Sequence, residues 1–360
     1  MKRPSRRSRG TITIEDVARA AGVSAMTVSR VVNGRKNVRD STRAAVLEAV
    51  GELDYSPNSA ARSLAAGRST GIGLLYANPS AGYLSQFLVG ALHSARRLGA
   101  FLVIESCESE DADEQAEVTR RFATSDVEGV ILPPPLSEAK PILAELAAIG
   151  MPVVTVAMGE PQDDSLNVRI DDAAAAAEMT RYLLSLGHRD IGFIQGHPNH
   201  RASHDRYRGF TDALREHGLD PNQAAVEQGY FSYRSGLAAS ERLLARSVRP
   251  TAIFASNDDM AAATVSVAHR LGLAVPDDLS VVGFDDTALA TSVWPELTTV
   301  KQPISAMAEA ALELLVADLR GRPSETARTF AERVLSHALI IRESSGPPPG
   351  QGKLRRKDPR

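Results

Sequence analysis

Two short amphipathic stretches split by a glycine, Thr13–Ala21 and Ala25–Asn33, constrain this chain more than any other feature. Ile14, Val17, Ala18 and Ala21 fall at i, i+3, i+4 and i+7, one face of a helix. Thr13 stands before them as a candidate N-cap, with Asp16 three residues on, a carboxylate suited to the first helical turn. Gly22-Val23 breaks the run, and Ser24 can cap a second helix over Ala25–Asn33 on which Val28, Val31 and Val32 share a face. Helices this short are not stable alone, so the two apolar faces must pack on each other. A third helix, Ser41 to about Leu53, brings Ala45, Val46, Ala49 and Val50 to close a small core. A plain helical hairpin accounts for the valines equally well. It does not account for an outward face of Met26, Ser29, Arg30 and Asn33 that lacks a carboxylate. That face fits a helix-turn-helix whose second helix enters the DNA major groove.

The charge distribution points the same way. The whole chain carries −3, but residues 1–70 hold 13 Lys/Arg against 6 Asp/Glu, a net of +7. The remaining 28 basic and 38 acidic residues give −10. A basic head on an acidic body suits a grip on phosphates, which supply much of the affinity for DNA. On charge alone, a solvated basic face is an equal reading.

The segment "TIEDVARAAGVSAMTVSRVVNG" (Thr13–Gly34), followed by "YSPNSAARSLAAGRS" (Tyr55–Ser69), resembles the lac repressor (LacI/GalR) family. The likeness runs from about Thr11 to Ser344. It implies base contacts by Ala25, Met26 and Arg30, and phosphate contacts by Ser24, Thr27, Ser29, Asn33, Asn37, Thr42, Tyr55 and Asn58. The chemistry agrees, since hydroxyls and amides position a protein on DNA while varied side chains at the base edges specify sequence. Arg30 can bond guanine twice, whereas Ala25 and Met26 offer only apolar contact. The resemblance further implies a hinge over residues 57–69 that folds on DNA. There Ala61 lets paired hinge helices approach, and Leu64 wedges into the minor groove.

From Gly71 onward, short apolar runs alternate with helical stretches. The runs are Ile72–Tyr76, Phe101–Glu105, Val127–Leu132, Val153–Ala157, Ile191–Gln195, Ala252–Ala255 and Ser280–Phe284. Helices such as Leu84–Leu98, Ala173–Leu186, Arg206–His217, Tyr233–Ala245 and Met260–Leu271 lie between them. This pattern implies parallel sheets covered on both faces, with ligand at the carboxyl ends of the strands. The expected fold is therefore an all-α helix-turn-helix head and an α/β body of two doubly wound parallel-sheet lobes. The family likeness makes that body similar to periplasmic binding proteins, with three crossovers between lobes. The expected organisation is a basic flexible N-terminus (1–10), the head (11–56), the hinge (57–69), a body (70–344) and a disordered basic tail (345–360). Within the body one lobe is expected over 70–168 with 300–328, and the other over 169–299 with 329–344.

Motifs in the body resemble the family's effector contacts. "DRYRGF" supplies Arg206, "FASNDDMA" Asn257, "VVGFDD" Asp285, and "GYFSYRSG" an aromatic platform at Phe231. An arginine, an amide and a carboxylate above an aromatic ring suit a sugar, whose hydroxyls they grip and whose C–H face packs on the ring. Taken singly, Asn257 and Asp285 are equally readable as a helix cap and a turn former. Where some sugar-responsive relatives have an aspartate after the Val153–Val156 strand, this chain has Ala157. Tyr76, Asn78 and Tyr83 are the expected replacements.

Other signals are weaker. "GIGLLY" lacks the third glycine of a dinucleotide-binding turn. His197, His200 and His204 sit close in sequence, but no cysteine is near and the segment reads as a loop leading to Arg206, so no metal is expected. Asp258-Asp259 and Asp285-Asp286 lack a nucleophile–base pair, and neither an enzyme nor a cofactor is expected. A single cysteine, Cys107, excludes a disulfide framework, and the basic N-terminus lacks a signal peptide's apolar stretch, so a cytoplasmic location is expected. The expected function is a homodimeric repressor of carbohydrate-utilisation genes on a pseudo-palindromic DNA operator, controlled by a sugar-like effector, with no membrane partner. A sugar-binding or sugar-processing protein, and a regulator responding to a nucleoside or purine, remain open.

Overall fold

A computed structural model describes residues 14–32, 39–52, 70–159, 165–321 and 331–350. The chain divides into two compact units, 1–69 and 70–360.

The first unit holds α1 (Ile14–Ala20), α2 (Ala25–Val32) and α3 (Asp40–Glu52). Val17, Val28 and Val46 are fully buried, joined by Ala18, Val31 and Ala49. These are the positions that a helical period places inside. Gly22 sits between α1 and α2 with φ at +65°, a left-handed turn that an L side chain resists. Ser24 caps α2, accepting from the Thr27 N–H at 3.2 Å.

The second unit holds two six-stranded sheets. The first is built from β1 (Thr70–Tyr76), β2 (Ala100–Ser106), β3 (Gly129–Leu132), β4 (Val153–Val156), β5 (Leu166–Arg169) and β11 (Ala331–Val334). It has the order β11-β5-β4-β3-β1-β2 and is parallel throughout. The second contains β6 (Ile191–Gln195), β7 (Ala225–Gln228), β8 (Ala252–Ala255), β9 (Ser280–Asp285), β10 (Thr298–Lys301) and β12 (Ala338–Ile340). Its order is β12-β10-β9-β8-β6-β7, parallel except for the antiparallel β10–β12 edge. Central strands β3, β8 and β9 are buried along their length, as parallel strands covered on both faces must be.

Helices α4 (Ala81–Leu98), α5 (Ala112–Ala123), α6 (Lys140–Ala148) and α11 (Ile304–Gly321) accompany the first sheet. The second carries α7 (Asp172–Ser185), α8 (Arg201–Glu216), α9 (Tyr233–Leu244) and α10 (Asp258–Arg270). Helices α7 and α8 pack closely because Gly209 has no side chain: a Cβ there would lie 2.1 Å from the Ala173 carbonyl oxygen.

The chain passes between lobes after β5, after β10 and after β11. The last passage corrects the expected division. Residues 329–344 do not all join the second lobe, because β11 pairs with β5 and the chain crosses only between Val334 and Ala338. The expected start of the tail is also too early. The Ser345 hydroxyl bonds Tyr182 at 2.9 Å, and the Gly346 carbonyl accepts from buried His188 and from Ser280. These polar partners anchor a segment whose Gly/Pro composition reads as unstructured.

A third correction concerns residues 201–205, expected as loop. They form the first turns of α8, begun by a turn in which the His200 N–H bonds the His197 carbonyl.

Candidate functional site

On the head, α2 presents Met26, which is 65% exposed, and its sequence carries no carboxylate. Ser29 and Arg30 occupy the α2 positions three and four residues beyond Met26, the same helical face. Ala25 is half-buried against the head core, so less of it faces outward than the sequence suggests. The Ser24 and Thr27 hydroxyls lie 2.9 Å apart, and Thr42 is half-buried in the first turn of α3. Asn33, Asn37, Tyr55, Asn58, Ala61 and Leu64 lie outside the described residues.

In the body, loops at the strand ends of both lobes enclose a cleft with two parts. The inner recess, about 50 Å³, is lined by Asn78, Tyr83, Arg206, Phe231, Asn257 and Asp285, with Ala157, His200 and Gln302 beside them. Six of the seven expected effector residues therefore meet there. Tyr76, the last residue of β1, is not among the lining residues.

Arg206 dominates the recess. It is nearly inaccessible, donates from Nε to Asp172 Oδ1 at 2.8 Å and from Nη1 to the Ser256 carbonyl at 2.5 Å, and its Nη1 lies 3.7 Å from Asp285 Oδ1. Its guanidinium sits 3.6 Å above the Phe284 ring centroid. Asp285 also accepts from Gln302 Nε2 at 2.7 Å. Burial raises the Asp285 carboxyl to about 7, against the lowering pull of Arg206 and of the Gln302 bond. Asp172 is likewise raised by burial and opposed by Arg206.

Asn257 does what its sequence setting allows as a cap: its side chain accepts from the Met260 N–H at the start of α10. Its amide nitrogen donates to the Phe231 carbonyl at 2.9 Å, so the same residue fixes the aromatic platform. Asn78 spans Pro134 and Ser80 in the first lobe. Tyr83 is buried with its hydroxyl unpartnered among the described residues, and burial pushes its ionisation upward. The non-glycine residues with positive φ among those described are Ala157, Phe231, Asp285 and Asp286. Three of them line the recess and the fourth adjoins it, and backbone held in sparse conformations gathers at functional sites.

Contacts across the cleft tie the lobes together. Ser80 Oγ donates to Asp259 at 2.6 Å, the Arg201 N–H to Glu138 at 2.7 Å, and Gln86 to the Asp286 carbonyl at 3.0 Å. Ser80, Gln86, Glu138, Asp172, Arg201 and Gln302 went unread in the sequence, while Asp259 and Asp286 were weighed only as catalytic acids and His200 only as a metal ligand. Asp172 carried a usable signal, an acidic pair between a strand and a helix. The outer part of the cleft, about 690 Å³, opens beyond His200 and shares Asn78, Glu138 and His200 with the recess.

A helix-turn-helix head joined to a two-lobed ligand cleft defines a transcriptional regulator that carries its own sensor. Residues 13–58 match the model of bacterial regulatory proteins, lacI family, and residues 180–345 that of a periplasmic binding protein-like domain. Catabolite control protein A of Priestia megaterium is 35% identical over 84% of this chain and 91% of its own. The repressor PurR of Pectobacterium carotovorum is 37% identical over 84% and 89%. A transcriptional regulator CelR solved with cellobiose superposes with a TM-score of 0.69 at 32% identity, covering 93% of this chain and all of that one. A lac repressor dimer bound to operator gives 0.68 at 28%, covering 94% and 100%. The chain belongs to the lacI family of transcriptional regulators.

Proposed function

We propose that this regulator is a homodimeric repressor that binds a pseudo-palindromic operator and changes its DNA affinity when a sugar-like molecule enters the cleft. Binding and not catalysis is its task, and it works in the cytoplasm. Among the described residues, no helix is long and apolar enough to cross a membrane. The observation that carries the reading is the recess itself. It draws Tyr83 and Asn78 from one lobe and Arg206, Asn257 and Asp285 from the other, so any ligand there touches both. Such a ligand binds one lobe angle better than another, and only that difference shifts an equilibrium. Relatives support it: CelR was solved with cellobiose, and a lacI-family regulator from Enterococcus faecium with ribose. The hinge over 57–69 transmits the change, with Leu64 as its minor-groove wedge and Arg30 as the base reader.

The test is to select an operator from random DNA with the full chain, then screen sugars, nucleosides and purine bases for changes in that complex. Arg30→Ala is expected to weaken operator binding by about 1–3 kcal/mol while random DNA is little affected. Equal loss on both would remove Arg30 from base readout.

A further inference from the structure

The recess, as it stands, holds only about 50 Å³, room for one or two water molecules, and its polar groups apart from the Tyr83 hydroxyl already have protein partners. The outer cleft is far larger, about 690 Å³, within the range of roughly 300–1,000 Å³ typical of small-molecule sites. One continuous aromatic wall connects the two. Phe231 stacks on His200 (centroids 5.7 Å, planes at 16°), His200 on His197 (4.4 Å, 24°), and His197 meets Tyr230 edge-on (5.4 Å, 72°). Tyr230, at the outer end, is 47% exposed although it lines the cavity, so its ring is open to a partner.

The charge of the outer cleft is one-sided. Glu108, Glu110 and Glu138 line it, and among the described residues no Lys or Arg does. His200 stays neutral, its imidazole held down to about 3 by burial and by its neighbours His197 and Arg206. Glu110 lies 3.3 Å from His197 Nε2, and a phosphorylated or carboxylated ligand would still meet three carboxylates with no Lys or Arg among the described lining residues. Hydroxyls, by contrast, can donate to those carboxylates while a C–H face packs on an aromatic ring.

We infer that the outer cleft is a second ligand subsite for a neutral, hydroxyl-rich ring that packs on Tyr230, so the effector is a carbohydrate of at least two linked units. This rests on the cleft being the effector site. The first unit sits at the recess, reaching the unpartnered Tyr83 hydroxyl as the lobes adjust. The second runs out along the aromatic wall between Tyr230 and Glu108.

The experiment is calorimetric titration of the full-length protein with matched series of glucose, galactose and xylose of one, two and three units, in α and β linkages. Uronic-acid-ended counterparts, adenine and guanine complete the panel. Each binder is then added to the selected operator complex. A two-unit sugar is expected to bind about tenfold or more tightly than its single unit. Tyr230→Ala should erase that gain and Tyr230→Phe keep it, with operator affinity in the absence of sugar unchanged in both. The uronate form should bind more weakly than its neutral parent. A single sugar or purine base that binds as tightly as any two-unit compound overturns the second subsite. So does a gain that survives Tyr230→Ala. If that single-unit ligand also alters operator affinity, the regulator reading stands. If nothing in the panel binds, the carbohydrate assignment falls, and if ligands bind without altering operator affinity, the control of DNA binding from this cleft falls with it.

Discussion

Arg206→Met removes the cation of the recess while keeping most of its volume, and it leaves Asp172 and Asp285 buried together without their shared partner. Neither carboxylate can stay ionised there, so each must be protonated when the chain folds. A carboxylate whose pKa is higher folded than unfolded costs nothing below its unfolded value. Its cost then grows as pH rises toward the folded value. Asp285 already sits near 7 with Arg206 present, so most of the added cost falls on Asp172. Starting from an unfolded pKa of 3.8, protonating one carboxylate at pH 7 costs up to about 4 kcal/mol, and at pH 5 about 1.6 kcal/mol. The pH 7 figure agrees with the roughly 3–5 kcal/mol lost when one partner of a buried pair is removed. Lost stacking on Phe284 adds an offset that does not vary with pH. Urea unfolding of both proteins at pH 5, 6, 7 and 8 reads the difference directly. The variant's deficit should shrink steadily toward pH 5. A deficit that is flat with pH, or that grows in acid, refutes the assignment of Arg206 as the counter-ion of this recess.

Two further outcomes follow from packing. Gly209→Ala drives a Cβ against the Ala173 carbonyl, backbone that cannot rotate away. Overpacking of this kind costs about 1–3 kcal/mol, read as a drop in Tm of several degrees. Truncation after Ser344 removes the Gly346 carbonyl from the buried His188 ring and the Ser345 hydroxyl from Tyr182 and Thr298. His188 keeps Thr251 and Ser280 as partners, so the loss is that of the removed bonds, about 0.5–1.5 kcal/mol each, and an unaltered unfolding midpoint would show that residues beyond 344 carry no stability.

The parts of the fold legible in the sequence are those where burial imposes a period. Val17, Val28, Val31 and Val46 repeat with the helix and fill the head core, and fully buried strands such as "AIFA" (Ala252–Ala255) read as unbroken apolar runs. Strands β7, "AVEQ", and β11, "AERV", are only partly buried edges, so their composition matches a loop and they went unread. That is why the final crossing was expected too early. In the cleft, residues at strand ends announced themselves through local motifs, as Asn257 and Asp285 did. Groups recruited across the cleft did not. Ser80 meets Asp259 and Glu138 meets the Arg201 N–H only because two lobes close on each other, a relation that no local spacing encodes.

The triple passage of the chain between lobes has a consequence for how the protein is made. The first sheet lacks its edge strand until Val334 is available, and the second lacks its own until Ile340. At roughly 5–20 residues per second, the ribosome needs about 15–60 s after Glu52 to supply them. The three helices of the head are complete by Glu52. A nascent chain thus holds the three helices of its head for many seconds before either sheet of its sensor is complete.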